Sequence, residues 1–294
     1  MSALVTAVDH VPIVVADLDA AVAAYSALLG RGPSWEGSLG PGVRHAWFQL
    51  ANIALHLIGA DGEAPGADGV RARLDRHGEG PYGIAWRALA FDETVRRLER
   101  RGIPTRETGV TRSVADDGQV REWRFAAVSP SMTRGLPMFV IDRPPDVAPL
   151  AISPPVADEA DAIAAVDHIV VRSQDPDGAV ALYGGRLGLD LRLDRANEAW
   201  GARQMFFSLA DMVVEIGSPF APDPARAGDR DTLGGLAWRV ADPHAAQARL
   251  AAAGIDVSEV RKGRKPGTEV FTVRAGVPGA PYLMIKASAT RGAN

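Results

Sequence analysis

The chain has 294 residues, no cysteine and a net charge of −4, with 47% apolar and 23% charged residues. That is the make-up of a soluble globular protein of about two domains. Without cysteine there is no disulfide framework and no thiolate nucleophile or metal ligand. The scattered basic residues give no nucleic-acid footprint, and no apolar run approaches the about 20 residues of a membrane helix. The N-terminus lacks a charged stretch followed by an apolar core, so a cytoplasmic location is expected.

Residues 4–15 read as a strand, with Pro12 placing it near an edge or bulge. Asp17 is positioned to cap a helix that starts around Leu18, and Gly30 to end it. Leu18, Val22, Tyr25 and Leu29 fall at helical spacing and point to a sheet. Short strands follow at 34–37, 43–50 and 53–58, the last two joined by a hairpin at Ala51-Asn52. Residues 59–80 read as a long connection with one helical turn at 70–75. A second unit then begins, with a strand over 83–91 and a helix over 92–101 capped by Asp92. The turn Asp116-Asp117-Gly118 leads into a strand over 120–128, and 138–141 closes the unit. Residues 144–164 form a Pro-rich linker, extended and semi-rigid.

The second half repeats the first. Val8-Asp9-His10 returns as Val166-Asp167-His168, Tyr25 as Tyr183, and Leu29-Gly30 as Leu187-Gly188. Gly83-Ile84-Ala85-Trp86-Arg87 returns as Gly235-Leu236-Ala237-Trp238-Arg239. Spacing between the copies shortens along the chain, as when loops are trimmed and strands kept. The usual phosphate-loop, nucleophile-elbow and dinucleotide fingerprints are absent.

Four β-α-β-β-β units carrying Asp-His at the first strand and Gly-(Ile/Leu)-Ala at the fifth resemble the vicinal oxygen chelate superfamily. This group includes glyoxalase I, methylmalonyl-CoA epimerase, extradiol dioxygenases and bleomycin-binding proteins. The resemblance implies an α+β fold of tandem βαβββ modules, two per domain, each domain a curled half-open eight-strand sheet enclosing a cavity. The domains would be 1–143 and 165–294. The family places metal ligands at four strand positions. Carried onto this chain, these hold His10 and His168, then His56 and Glu215, then Trp86 and Trp238, then about Phe139 and Leu283. Each half keeps two donor positions and loses the same two, whereas the family's metal chemistry needs three or more protein donors. Glu122, Glu269, Asp142 and Lys286 lie near the vacant positions as weaker alternatives.

Strand alternation sends His56 and Glu215 to the cavity side of their strands, together with His10 and His168. The expected catalytic residues are therefore His168, Glu215, His10 and His56, with His168 and Glu215 also the remnant of a metal site. Trp86, Trp238, Trp47, Phe206 and Phe139 are the expected ligand-binding surfaces, the two tryptophans at the vacated fifth-strand position acting as stacking walls or plugs. Arg87 and Arg239 should point away from the cavity, and Tyr25 and Tyr183 should lie in the core. The basic run Arg261-Lys262-Gly263-Arg264-Lys265 reads as a solvated loop. No cofactor is firmly implied beyond one weakly held divalent metal. The functional expectation is proton-transfer chemistry of lyase or isomerase type on a small oxygenated or aromatic metabolite. The alternative is non-catalytic sequestration of a small molecule; extradiol dioxygenase chemistry is disfavoured. Partners would be a small-molecule ligand and at most a second copy of the chain, with no nucleic acid and no membrane.

Overall fold

The structure is a computed structural model that describes residues 3–143, 148–156, 162–226 and 228–286. The first half contributes one mixed sheet. Its strands are β1 (Ala7–Val15), β2 (Trp35–Ser38), β3 (Val43–Gln49), β4 (Ala54–Ala60), β5 (Gly80–Pro81), β6 (Ile84–Arg87), β7 (Thr105–Val114), β8 (Val120–Val128) and β9 (Met138–Asp142). They run in the order β4-β3-β2-β7-β8-β9-β6-β1-β5, and β4 also pairs with β1. Eight strands therefore close into a ring, with β5 as a short addition to β1. The half-open sheet expected for this half is in fact shut, because the ten-residue β7 reaches β2 through Ser38 and Val114.

The second half has β10 (Ala165–Arg172), β11 (Asp190–Asn197), β12 (Ala202–Leu209), β13 (Met212–Pro219), β14 (Thr232–Arg239), β15 (Asp256–Val257), β16 (Arg261–Lys262), β17 (Glu269–Ala275) and β18 (Tyr282–Lys286). Their order is β11-β12-β13-β10-β14-β18-β17-β15, with β16 also on β17. Here the counterpart of β7 is broken into β15 and β16, two residues each. Neither piece reaches β11, so this sheet stays open.

Helices start where the sequence supplies a cap. In α1 (Leu18–Leu29) the Asp17 carboxylate accepts from Ala20 N, and Gly30 ends the helix at φ 68°, its N–H donating to Ser26 O. In α3 (Phe91–Arg100) Asp92 lies inside the first turn instead of at the cap, where its charge suits the helix dipole. The strand expected over 83–91 is only β6, because that helix begins at Phe91. The connection 59–80 holds α2 (Pro65–His77), far longer than the one turn expected. Its two internal glycines and the burial of only Ala67 and Val70 conceal it from apolar periodicity. Two helices in the second half, α4 (Pro176–Val180) and α5 (Pro243–Ala252), are capped by Asp175 and Asp242.

One apolar core runs through both halves and includes Tyr25, Phe48, Trp86, Tyr183, Phe207, Trp238 and Phe271. The halves meet through side chains as well. The Tyr25 and Tyr282 hydroxyls lie 2.7 Å apart and 2.8 and 2.6 Å from Pro278 O, so that one donates to the carbonyl and the other to its neighbouring hydroxyl or to the same carbonyl. Arg134 pairs with Asp175 and Asp231 across the junction. The described part of the linker is docked along the first half: Val156 N donates to Gly30 O, and Leu150 is buried in the interior of the ring.

Candidate functional site

In the first half the interior is built by alternation. Register pairs Trp47 on β3 with His56 on β4, and His10 on β1 with Ala54. The indole of Trp47 stacks on His56 with ring centres 3.9 Å apart and planes 8° from parallel. His10 meets His56 edge-on at 5.4 Å. His45, on the same face of β3, places Nδ1 2.8 Å from His56 Nε2 and Nε2 2.6 Å from Ser113 Oγ. Trp35 Nε1 also donates to that hydroxyl at 2.8 Å. Trp123, Ala54, Ala85, Ile141 and the linker's Leu150 fill what is left.

This packing fixes the protonation states. Burial pushes the His45 imidazole down to about 4. Burial, reinforced by neighbouring His45 and His10, holds His56 well below the ordinary histidine value. Burial also lowers His10, even though Asp9 favours its charged form. Asp9 itself stays ionised. Burial opposes its charge, but hydrogen bonds from His10 and Arg143 and the Arg143 charge hold its carboxyl far below the usual range. An ionised carboxylate only accepts, so His10 Nδ1, 2.8 Å from Asp9 Oδ1, carries the proton. A hollow of about 510 Å³ beside this half is lined by Gln49, Trp123, Arg143 and Leu150 but by none of the three histidines.

The second half repeats the geometry with different chemistry. Phe206 pairs with Glu215 as Trp47 pairs with His56. Gln204 occupies the place of His45, and its Nε2 donates to Glu215 Oε1 at 2.6 Å. Arg195 in turn donates to Gln204 Oε1 at 2.9 Å, which orients the amide. His168 Nδ1 lies 2.9 Å from Asp167 Oδ1, so its Nε2 faces Glu215 Oε2 at 3.3 Å. The result is a continuous row, Asp167–His168–Glu215–Gln204–Arg195. Because the sheet is open, His168 and Glu215 line a cavity of about 590 Å³ with Phe206, Gly235, Ala237 and Leu283.

Of the expected residues, the structure thus brings together His168 and Glu215 at a cavity, with Phe206 beside them. His10, His56 and Trp47 also come together, but inside a packed interior. Phe139 packs within the ring, against the cluster around Trp47 and Trp123. Trp86 and Trp238 are corrections. Both are fully buried in the shared core, on the opposite face of their strands. A bulge in β1 between Val8 and His10 sets His10 beside Ala85, and the matching bulge sets His168 beside Ala237. The small residues, not the indoles, occupy the vacated interior positions. Arg87 and Arg239 do point away from the interior, where each bonds the carboxylate before the histidine, Asp9 and Asp167. The basic run is solvent-exposed as expected, and Arg261, Arg264 and Lys265 also stand along the rim of the second-half cavity.

Sequence reasoning missed Gln204, Arg195 and Asp167 as parts of one row. The Asp-His repeat signalled the third, and the hairpin turn at Ala210-Asp211 fixes the register that sets the first against Glu215.

A divalent metal, implied by the family resemblance, does not fit these donors. His168 Nε2 and Glu215 are two ligands, and the cavity-lining residues of β14 and β18 opposite them include Gly235, Ala237, Leu283 and Ile285, none with a ligating side chain. Among the described residues no three of His, Asp or Glu converge on a metal-sized site. Catalytic zinc-type centres use three protein ligands plus an open position. No helix among them is long and apolar enough to cross a membrane.

The comparisons agree with this architecture. A family model described as glyoxalase-like domain matches residues 8–161. A second, for the glyoxalase/bleomycin resistance protein/dioxygenase superfamily, matches 167–272. A mutant of 4-hydroxymandelate synthase from Streptomyces coelicolor superposes with TM-score 0.71 at 16% identity, covering 98% of this chain and 94% of that one. The Mn(II)-bound glyoxalase from Novosphingobium aromaticivorans gives TM-score 0.62 at 19% identity, covering 98% of this chain and 83% of that one. At such identities these likenesses concern the fold. A search of curated proteins gives no significant match. Two family matches in tandem, on two sheets that each open with an Asp-His strand, place the chain in the glyoxalase-like, vicinal oxygen chelate family.

Proposed function

We propose that the second half is the working half, and that His168 and Glu215 form a proton-transfer pair acting on a small oxygenated or aromatic metabolite, in chemistry of lyase or isomerase type. The observation that carries this reading is the 3.3 Å approach of His168 Nε2 to Glu215 Oε2 at the wall of an open cavity. Asp167 holds the far ring nitrogen and so fixes the tautomer; Gln204 holds the other carboxylate oxygen. Glu215 removes a proton from a carbon next to a carbonyl. His168 Nε2 is close enough to receive that proton and return it to a neighbouring atom or to the opposite face. Positioned acid–base groups contribute typically 10²–10⁴-fold in rate. No step needs a metal, and two donors would hold a divalent cation only weakly.

Solvent-deuterium exchange into a panel of small carbonyl and hydroxy-acid compounds, followed by NMR, tests the reading. Glu215→Gln should slow exchange about 100-fold or more, whereas His56→Gln, inside the packed first half, should leave a correctly folded protein active. A compound that binds in the cavity without exchange, in wild type and variant alike, would favour the sequestration alternative and reject catalysis.

A further inference from the structure

The proton-transfer pair leaves one wall of its cavity unexplained. Strand pairing of Arg261 with Val270 and Lys262 with Glu269 folds the basic run back over the sheet. The turn is tight: Gly263 N donates to Thr268 O at 2.9 Å, and Thr268 Oγ1 donates to Lys265 O at 2.6 Å. A Cβ at Gly263 would lie 2.1 Å from Thr268 Oγ1, so the turn demands glycine there. Arg261, Arg264 and Lys265 are thereby aimed at the cavity, joined by Arg195 from β11.

Two of these cations are drawn to a single ring. The guanidinium carbons of Arg264 and Arg195 lie 4.7 and 5.1 Å from the ring centre of Trp200. Cation–π contact pre-orders both, yet it also brings like charges together. Among the described residues no carboxylate forms an ion pair with Arg261, Arg264 or Lys265. The acids at the cavity are Glu215 and Asp167, and Asp167 is already bonded to Arg239 and His168. The cavity therefore carries an excess of positive charge within a chain of net charge −4. Low-dielectric walls concentrate such a field and raise the local concentration of counter-charged ligand.

We propose that the ligand of this cavity is a small organic anion. Its carboxylate or phosphate is gripped by Arg264, Lys265 and Arg261, with Arg195 alongside, and its apolar body rests on Phe206. This grip presents the rest of the molecule to His168 and Glu215. Guanidinium forks suit either head group, since both offer paired acceptor oxygens. The inference rests on the second half being the ligand-binding half, but not on the acid–base chemistry assigned to it.

Calorimetric titration of the full chain with benzoate, phenyl phosphate and the uncharged benzamide tests it. At least one anion should bind tenfold or more tighter than benzamide, and the advantage should shrink between 50 and 200 mM salt. The tighter of the two anions identifies the head group. Arg264→Gln with Lys265→Gln, both exposed turn positions, should erase the discrimination while benzamide affinity stays within twofold. Equal binding of benzamide and the anions, no anion binding, or discrimination that survives the double variant would overturn the proposal. Glu215→Gln separates the two readings. Anion binding that persists or tightens in this variant while deuterium exchange is lost supports both. Selectivity without any Glu215-dependent exchange rejects the acid–base reading alone; exchange without selectivity rejects only the anion.

Discussion

At the scale of single residues, the two halves show one geometry with two chemistries. His56 and Glu215 occupy matching positions, as do His45 and Gln204, and in each half the second side chain bonds the first. In the first half the outcome is a set of neutral imidazoles, and this has a consequence for stability. The unfolded chain binds protons on histidine near pH 6.5, whereas folded His45 binds them only near 4. Between those values the unfolded state carries the extra proton, so stability is full above pH 6.5 and falls as pH drops toward 4. For His45 alone the loss is about 3 kcal/mol, from about 1.4 kcal/mol per pH unit. His56 and His10, also lowered, act in the same direction. His45→Gln, which copies the second half, should flatten the fall in urea-unfolding free energy between pH 6.5 and 4. An unchanged slope would show that His45 is not held neutral by burial.

At the scale of elements, packing decides what propensity leaves open. In α2, a Cβ at Gly66 would lie 2.4 Å from Pro41 O, whereas at Gly69 the nearest atom is the tip of Arg73 at 3.7 Å. Gly66→Ala should therefore destabilise by about 1–3 kcal/mol through overpacking. Gly69→Ala, in the same helix, should stabilise by about 0.5–1 kcal/mol through backbone entropy. Thermal melts of the two variants should move in opposite directions; movement in the same direction would contradict the register of α2 against Pro41. Leu150 belongs to the linker in sequence but to the interior of the ring in space. Leu150→Ala should cost about 2–3 kcal/mol, measured by urea unfolding, as for other buried leucines; a near-zero cost would mean that the linker does not seal the ring.

These elements also show what the sequence could convey. The duplicated Asp-His strands, the capped helices and the alternation in β4 and β13 are local patterns, and they placed His10, His56, His168 and Glu215 on interior faces correctly. Trp86 and Trp238 were misplaced because the face of β6 and β14 depends on bulges in the neighbouring strands β1 and β10. The basic run is solvated as its sequence suggests, but its place beside the cavity follows from the pairing of β16 with β17, which no local pattern conveys.

At the scale of the whole molecule, ring closure separates the environments of the two halves. A long unbroken β7 closes the first sheet around Trp47, Trp123 and three histidines. The interrupted β15 and β16 leave the second sheet open around His168 and Glu215. The shared core and the Arg134 junction join them into one body. That junction has its own pH dependence. Burial pushes the Asp231 carboxyl up to about 6, against ion pairing with Arg134. A raised carboxylate value means that the folded state holds the extra proton between about 4 and 6, so Asp231 partly offsets the histidines as pH falls through that window. Asp231→Asn should accordingly steepen the acid loss of stability, read from the same urea series.

The central claim is that ligand chemistry belongs to the second half, while the histidines of the first are sealed. Imidazole 1H–15N NMR spectra of the intact protein, recorded with and without saturating benzoate, test it most directly. His168 should shift on ligand addition, and His10, His45 and His56 should keep their free-protein resonances. Shifts confined to the first-half histidines, or a His168 that stays silent, would contradict the account.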